Sequence, residues 1–274
     1  MPAFSGAPQP HAGGDRCFSG LWRLLTDPLF LAVVIPAVVA LGLAKGGFAG
    51  VGTVATPLVA LVMPPFEAAA LLLPILIVQD VISLWVYRGD WSRENLKLML
   101  PGATLGIGIA WFLATLVSEA AVRLIVGVIG LSFVLNAWFG RKPEAASTHG
   151  PRGIFWGALS GFTSAFANAG GPPFQVYILP QRLPKLTLVG TATIFFAVVN
   201  WLKVLPYFAL GNFSGKGLMM SLSLMPVAIA ANFLGIWLVR VTPQQVFYRI
   251  AYTLVFLLSL ALLWQGGSAL MRGG

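Results

Sequence analysis

The chain has 274 residues, of which 58% are hydrophobic and 9% charged, with a formal net charge of +9 and a mean hydropathy of +0.86. A soluble domain of this size carries far more charge, so the composition excludes one and predicts an all-α polytopic membrane protein. Most of the Lys and Arg residues stand beside the ends of apolar runs, where lipid headgroups and topology account for them, so the basic balance does not point to nucleic acid.

Residues 1–28 read as a polar N-terminal tail, because Pro8, Pro10, Gly13, Asp15 and Arg16 leave no apolar core of the kind a signal peptide needs. The single cysteine, Cys17, excludes an internal disulfide and any Cys-based metal site. A first membrane repeat is predicted over 29–139, with helices at 29–45, 67–87, 96–117 and 120–139 and a shorter segment at 51–63. The hydrophilic stretch GRKPEAASTHGPR, residues 140–152, then divides the chain. A second repeat over 153–264 restores the same order at 153–168, 171–180, 186–210, 216–239 and 243–264, leaving a short C-terminal tail, 265–274. The last predicted helix contains IAYTLVFLLSLALLW from Ile250, whose unbroken hydrophobicity is unlike the alternating strands of a membrane barrel. The count of membrane segments is about eight to ten, according to whether the short ones cross or re-enter.

Two segments broken by glycine and proline stand at matching places: LGLAKGGFAGVGTVATPL from Leu41 and LSGFTSAFANAGGPPFQVYIL from Leu159. Gly89, Asp90, Trp91 and Ser92 match Gly211, Asn212, Phe213 and Ser214 in type and order, and Trp111 and Phe233 share that offset. Such self-similarity marks a duplication. Arg88, Arg93 and Lys97, the divider's Arg141, Lys142 and Arg152, then Arg182, Lys185 and Arg240 place their loops in the cytoplasm, against a minority of Arg16, Arg23, Lys216 and Arg272. Both termini then lie on the non-cytoplasmic side. The two halves enter the membrane from opposite faces and are inverted copies, the arrangement that supports alternating access.

Interrupted helices in corresponding positions also indicate where a transporter binds its cargo. Gly46, Gly47, Gly50 and Gly52 in the first break, and Gly170 and Gly171 before Pro172 and Pro173 in the second, either expose backbone amides to the oxygens of an anion or let helices pack closely. Four polar residues fall within or near hydrocarbon: Lys45, Asp80, Asn200 and Lys203. Each needs a reason, since a charge at mid-membrane costs about 2.5–3.5 kcal/mol even on insertion scales. Lys45 and Lys203 could attract an oxyanion, with snorkelling or ion pairing as the structural alternatives. Asp80 and Asn200 lie in corresponding helices and are expected to face each other, Asp80 serving as a lysine's partner or as a coupling-proton site. Gln79, Thr53, Thr56, Asn168, Gln175, Thr191 and Thr193 supply neutral hydrogen-bonding groups.

An enzyme is disfavoured. His11 and His149 lie outside the predicted spans, and no HExxH, GxSxG or paired-carboxylate pattern falls within one, so no catalytic residue, metal site or cofactor is predicted. A non-transporting scaffold or assembly factor, and a cation or metal permease built on Asp80, remain as alternative readings.

AKGGFAGVGTVATPL from Ala44, NAGGPPFQVYIL from Asn168 and GTATIFFAVVNWLKV from Gly190 together resemble the sulfite exporter TauE/SafE family of bacterial-type membrane permeases. The resemblance covers about residues 30–265. It implies export of sulfite, sulfonates or sulfoacetate-like anions across an inner membrane, with the lipid bilayer and a small organosulfur anion as partners. Glycine-rich helices also make a homodimer plausible.

Overall fold

The computed structural model describes residues 27–48, 52, 55–59, 62, 65–113, 116, 118–139, 150–167, 169–209 and 215–272. The helices are α1 (Pro28–Gly46), α2 (Ala55–Val59), α3 (Pro65–Val86), α4 (Arg93–Phe112), α5 (Glu119–Phe139), α6 (Gly150–Ala167), α7 (Gly171–Ile178), α8 (Lys185–Ala209), α9 (Gly215–Val241) and α10 (Gln244–Arg272). A 3-10 turn, Leu179–Gln181, extends α7, and no strand occurs among the described residues.

Capping explains where several helices begin. The Asp27 side chain accepts from the Leu29 amide at 2.9 Å ahead of α1, and Ser92 accepts from the Asn95 amide at 3.4 Å, starting α4 three residues before the expected 96. Ser118 accepts from the Ala121 amide at 3.2 Å to open α5. The last helix passes the expected end at 264, and Gly266 beyond it lies directly against Leu124 and Ala120 of α5. Tertiary packing there overrides the weak helix propensity of glycine.

Among the described residues, α1, α5, α8, α9 and α10 each hold a stretch long and apolar enough to cross a membrane, and α3 holds a shorter one, Leu71–Val86. The protein is a multi-pass membrane protein. At a rise of about 1.5 Å per residue, the five residues of α2 and eight of α7 fall far short of a bilayer core about 30 Å thick. Trp111 and Phe233, the aromatic pair at matched offsets, are both exposed on the outer surface.

Helix pairing is reciprocal between the halves. α1 packs on α9 as α6 packs on α4, α3 meets α9 as α8 meets α4, and α3 pairs with α8 and α5 with α10. Both crossed pairs are seams of small residues. A Cβ on Gly42 or Gly46 would stand 2.5 Å from Ala231 or Gly235, and one on Gly102 or Gly106 would stand 2.2 or 2.0 Å from the carbonyl oxygens of Ile154 or Ala158. Gly157 and Gly161 meet Met99 and Ala103 from the other side, so α4 and α6 run parallel at backbone contact. α3 and α8 run antiparallel, since Gly190 near the start of α8 abuts Asp90 just past the end of α3. α4 turns back after α3, so α6 runs opposite to α3, whose C-terminal end lies beside that of α1 through the bond from Tyr87 Oη to the Gly46 carbonyl. The first helices of the two halves therefore point in opposite directions.

The basic connections meet at one end of the bundle. Asn95 and Gln181 exchange side-chain hydrogen bonds of 2.9 and 3.1 Å, the Ser92 amide donates to Thr191 Oγ1 at 2.9 Å, and Lys185 Nζ donates to the carbonyls of Arg240, at 2.8 Å, and Thr242.

Candidate functional site

At Gly47 and Phe48 the first break is closed by capping bonds. Gly47 has φ 143°, a region that side-chain-bearing residues avoid, and its amide donates to the Leu43 and Ala44 carbonyls at 3.2 Å while the Phe48 amide donates to Leu43 at 3.0 Å. These amides cap α1 and are not presented to an anion. Gly46 forms part of the seam with α9, and Gly52 lies against Ala44, so the chain has turned back along α1. Gly50 and Thr53 lie outside the described residues, as does Asn168 of the second break.

The second break folds α7 back along α6, with Gly170 beside Ser160 and Ser164 and the Tyr177 hydroxyl beside Gly153. Ser160 Oγ donates to the Gly170 carbonyl at 2.7 Å, and the Ala169 amide donates to the Thr163 carbonyl at 3.2 Å. The α7 N-terminus then has few amides to offer, because Pro172 and Pro173 carry none and the Phe174 amide donates to Gly170 at 3.3 Å. Gly170 and Gly171 retain theirs, without a partner among the described residues, and nothing approaches the Cβ position of Gly171 within 4 Å. The helix end is open at that glycine.

Between the breaks lies a polar cluster drawn from both halves. Asp80 on α3 is fully buried, with one carboxylate oxygen in a salt bridge to Lys45 Nζ of α1 and the other accepting from Asn200 Nδ2 of α8 at 3.0 Å. One turn on from Asn200, buried Lys203 donates to Ser164 Oγ at 3.0 Å and contacts its carbonyl at 3.5 Å, next to Gly170. Lys203 also lies within electrostatic reach of Lys45 and Asp80. The sequence expectation that Asp80 faces Asn200 is met, and Lys45 is an ion-pair partner rather than a snorkelling end residue.

Gln79 faces the other side of α3, donating to the Ala228 carbonyl at 3.0 Å, while Asn232 donates to the Gln79 carbonyl at 3.1 Å and accepts from Ser83 at 3.2 Å. These bonds fasten α3 to α9. Thr191 serves the cap of α4. Gln175 on α7 lines a cavity of about 20 Å³, room for about one water molecule, together with Gly47 and Phe48 of the first break and Phe247 of α10. Its Oε1 has no partner among the described residues. Ser83, Asn232, Ser160 and Ser164 escaped the sequence reading; the available signal was Ser160 and Ser164 one turn apart on α6, just before the break. Burial pushes the hydroxyl of Tyr87, beyond the end of α3, well above the usual tyrosine range, keeping it a donor to Gly46. Among the described residues, no three of His, Cys, Asp or Glu gather as metal ligands.

Residues 34–262 match the family model described as sulfite exporter TauE/SafE, most of the chain. Comparison with curated proteins and with solved structures returns no match.

Proposed function

The chain belongs to the sulfite exporter TauE/SafE family, a family of membrane transporters, and on that premise we propose that it exports a small sulfur-containing anion such as sulfite, a sulfonate or a sulfoacetate-like compound. The observation that carries this reading is the cluster of buried Asp80, Asn200 and Lys203 with half-buried Lys45, assembled from both halves beside the open α7 N-terminus. Lys203 and the Gly170 and Gly171 amides are the donors for the oxyanion. Gln175 and Asn200 are neutral groups from which the anion can depart, Asp80 links the halves through its bond to Asn200, and Lys45 pairs with Asp80 within the first half.

The cavity between the breaks has room for about one water molecule, so passage requires one half to rock against the other. Oppositely directed halves supply the symmetry for that exchange. The shared end of the basic loops supports a cytoplasmic location for it, with both termini outside and an inner-membrane address. The repeat boundaries 29–139 and 153–264 are the units proposed to move, and a homodimer is proposed as the assembly.

Ligand-induced thermal stabilisation of the detergent-purified protein tests the substrate class. Selective stabilisation by sulfite or a sulfonate supports the reading. Stabilisation by divalent cations alone would favour a cation permease built on Asp80 and overturn the roles of the lysines.

A further inference from the structure

We infer that the anion passes between the site and the basic end of the bundle along the seam of α7, α8 and α10, with Phe48 and Phe247 as the gate that closes it. This rests on the anion-transport reading and adds to it a route and a closure.

α7 and α8 are joined by a short connection, residues 179–184, and fold back on each other. Residues equidistant from the turn meet across it: Leu179 with Leu188 and Gln175 with Ala192, and all four line the cavity between the breaks. The same ladder continues inward to Gly171 opposite Phe196, whose ring lies 5.2 Å from that of Phe174, and one turn further along α8 stands Asn200. Leu179, Gln175 and Gly171 recur every four residues and so share one face of α7. That face leads from the basic end of the bundle to the open space at Gly171.

Among the described residues, Gln175 is the only polar side chain lining this cavity. It is buried, and its Oε1 has no partner among them. A static apolar core gains nothing from such a group, because an unpaired buried oxygen is a net cost. On a path the same side chain has a task. A half-turn about its last torsion exchanges the oxygen for the NH2 group, which then donates to a passing oxyanion.

The closure is apolar. Phe48 follows the end of α1 at Gly47 and meets Phe247, in the first turn of α10, with ring centroids 5.9 Å apart. Thr242, just before α10, accepts from Lys185, so the contact lies at the basic end. Packed rings there exclude a hydrated anion, since they offer nothing in place of its water. Phe48 belongs to the first repeat and Phe247 to the second, so rocking of the repeats separates them. Among the described residues no hydrogen bond or ion pair joins α10 to α1 or α7, and Tyr248 Oη donates to the Leu183 carbonyl at 2.7 Å. α10 therefore stays fastened to the head of α8 while its contact with Phe48 parts.

The test uses the full chain carrying Cys17→Ser and Ala251→Cys, which places a thiol in the cavity lining one turn on from Phe247. In detergent, Phe48→Ala and the milder Phe247→Leu should each speed labelling by an anionic maleimide about two- to tenfold, the factor by which loss of an aromatic pair favours the open state. Phe133→Leu, which removes a ring contact of α10 with Tyr252, should leave the rate unchanged. In liposomes, the bulky adduct at position 251 should abolish sulfite efflux. Gln175→Leu should melt no lower than the wild type yet slow efflux by roughly tenfold or more, as expected for one lost hydrogen bond to a charged group. Unchanged labelling in both gate variants, or equal acceleration by Phe133→Leu, would overturn the gate, and efflux undiminished by the adduct would overturn the route; both results leave anion transport intact. If the unmodified protein moves no sulfite, the transport reading falls and the route with it.

Discussion

Gly106 and Gly108 stand two residues apart on α4, yet alanine should have opposite effects at the two positions. At Gly106 the new Cβ would lie 2.0 Å from the Ala158 carbonyl oxygen, 2.8 Å from its carbon and 2.9 Å from the Phe162 nitrogen, all backbone atoms of α6. That is about 1.4 Å short of ordinary contact, and no flexible side chain is available to yield. α4 and α6 must part by more than an ångström along a seam that also includes Gly102, Gly157 and Gly161. Gaps of that size forfeit about a quarter to a half of each lost dispersion contact. Overpacking of this kind costs about 1–3 kcal/mol, and rigid backbone on both sides favours the upper end. Against it stands a helix-propensity gain of about 0.8–1.0 kcal/mol for replacing glycine by alanine. Gly106→Ala should therefore lose about 2 kcal/mol, and Gly108→Ala, with nothing within 4 Å of its Cβ, should lose nothing or gain up to about 1 kcal/mol. Denaturant unfolding of the two proteins in one detergent, followed by tryptophan fluorescence, measures the difference. If Gly106→Ala proved as stable as Gly108→Ala, the close backbone seam would be refuted.

Gly171 separates folding from function. Since its Cβ position is open, Gly171→Leu should unfold like the wild type yet lose anion flux by filling the space before α7; normal flux would remove Gly171 from the site. Asp80→Asn should destabilise by up to about 3 kcal/mol by leaving the half-buried Lys45 charge without its carboxylate, and adding Lys45→Met should recover most of that loss, as chemical denaturation can determine. Tyr87→Phe should cost about 1–2 kcal/mol in the same assay, because the Gly46 carbonyl loses its 2.6 Å donor.

The positions of most long helices were legible because lipid rewards long apolar runs and polar residues then collect in the connections. Early or extended ends, as at Arg93 and Arg272, depend on the Ser92 cap and on Gly266 meeting α5, and hydropathy records neither. The meeting of Asp80 with Asn200 was readable from their places in corresponding helices. The role of Lys45 was not, since anion binding and ion pairing differ only in how α1 faces α3, a tertiary property. The same limit applied to the glycines. Gly46 and Gly171 look alike in sequence, yet one is pressed against Gly235 and the other faces open space. Ser160 and Ser164 gave little signal individually because small hydroxyl residues are common helix contacts in membranes.

The central claim is most directly tested by sulfite efflux from liposomes containing the purified protein, with Lys203→Gln as the matched variant. The account predicts saturable efflux from wild-type liposomes, inhibited by a sulfonate and lost in the variant, whose unaltered melting profile is checked in parallel. Efflux no faster than from protein-free liposomes would contradict it.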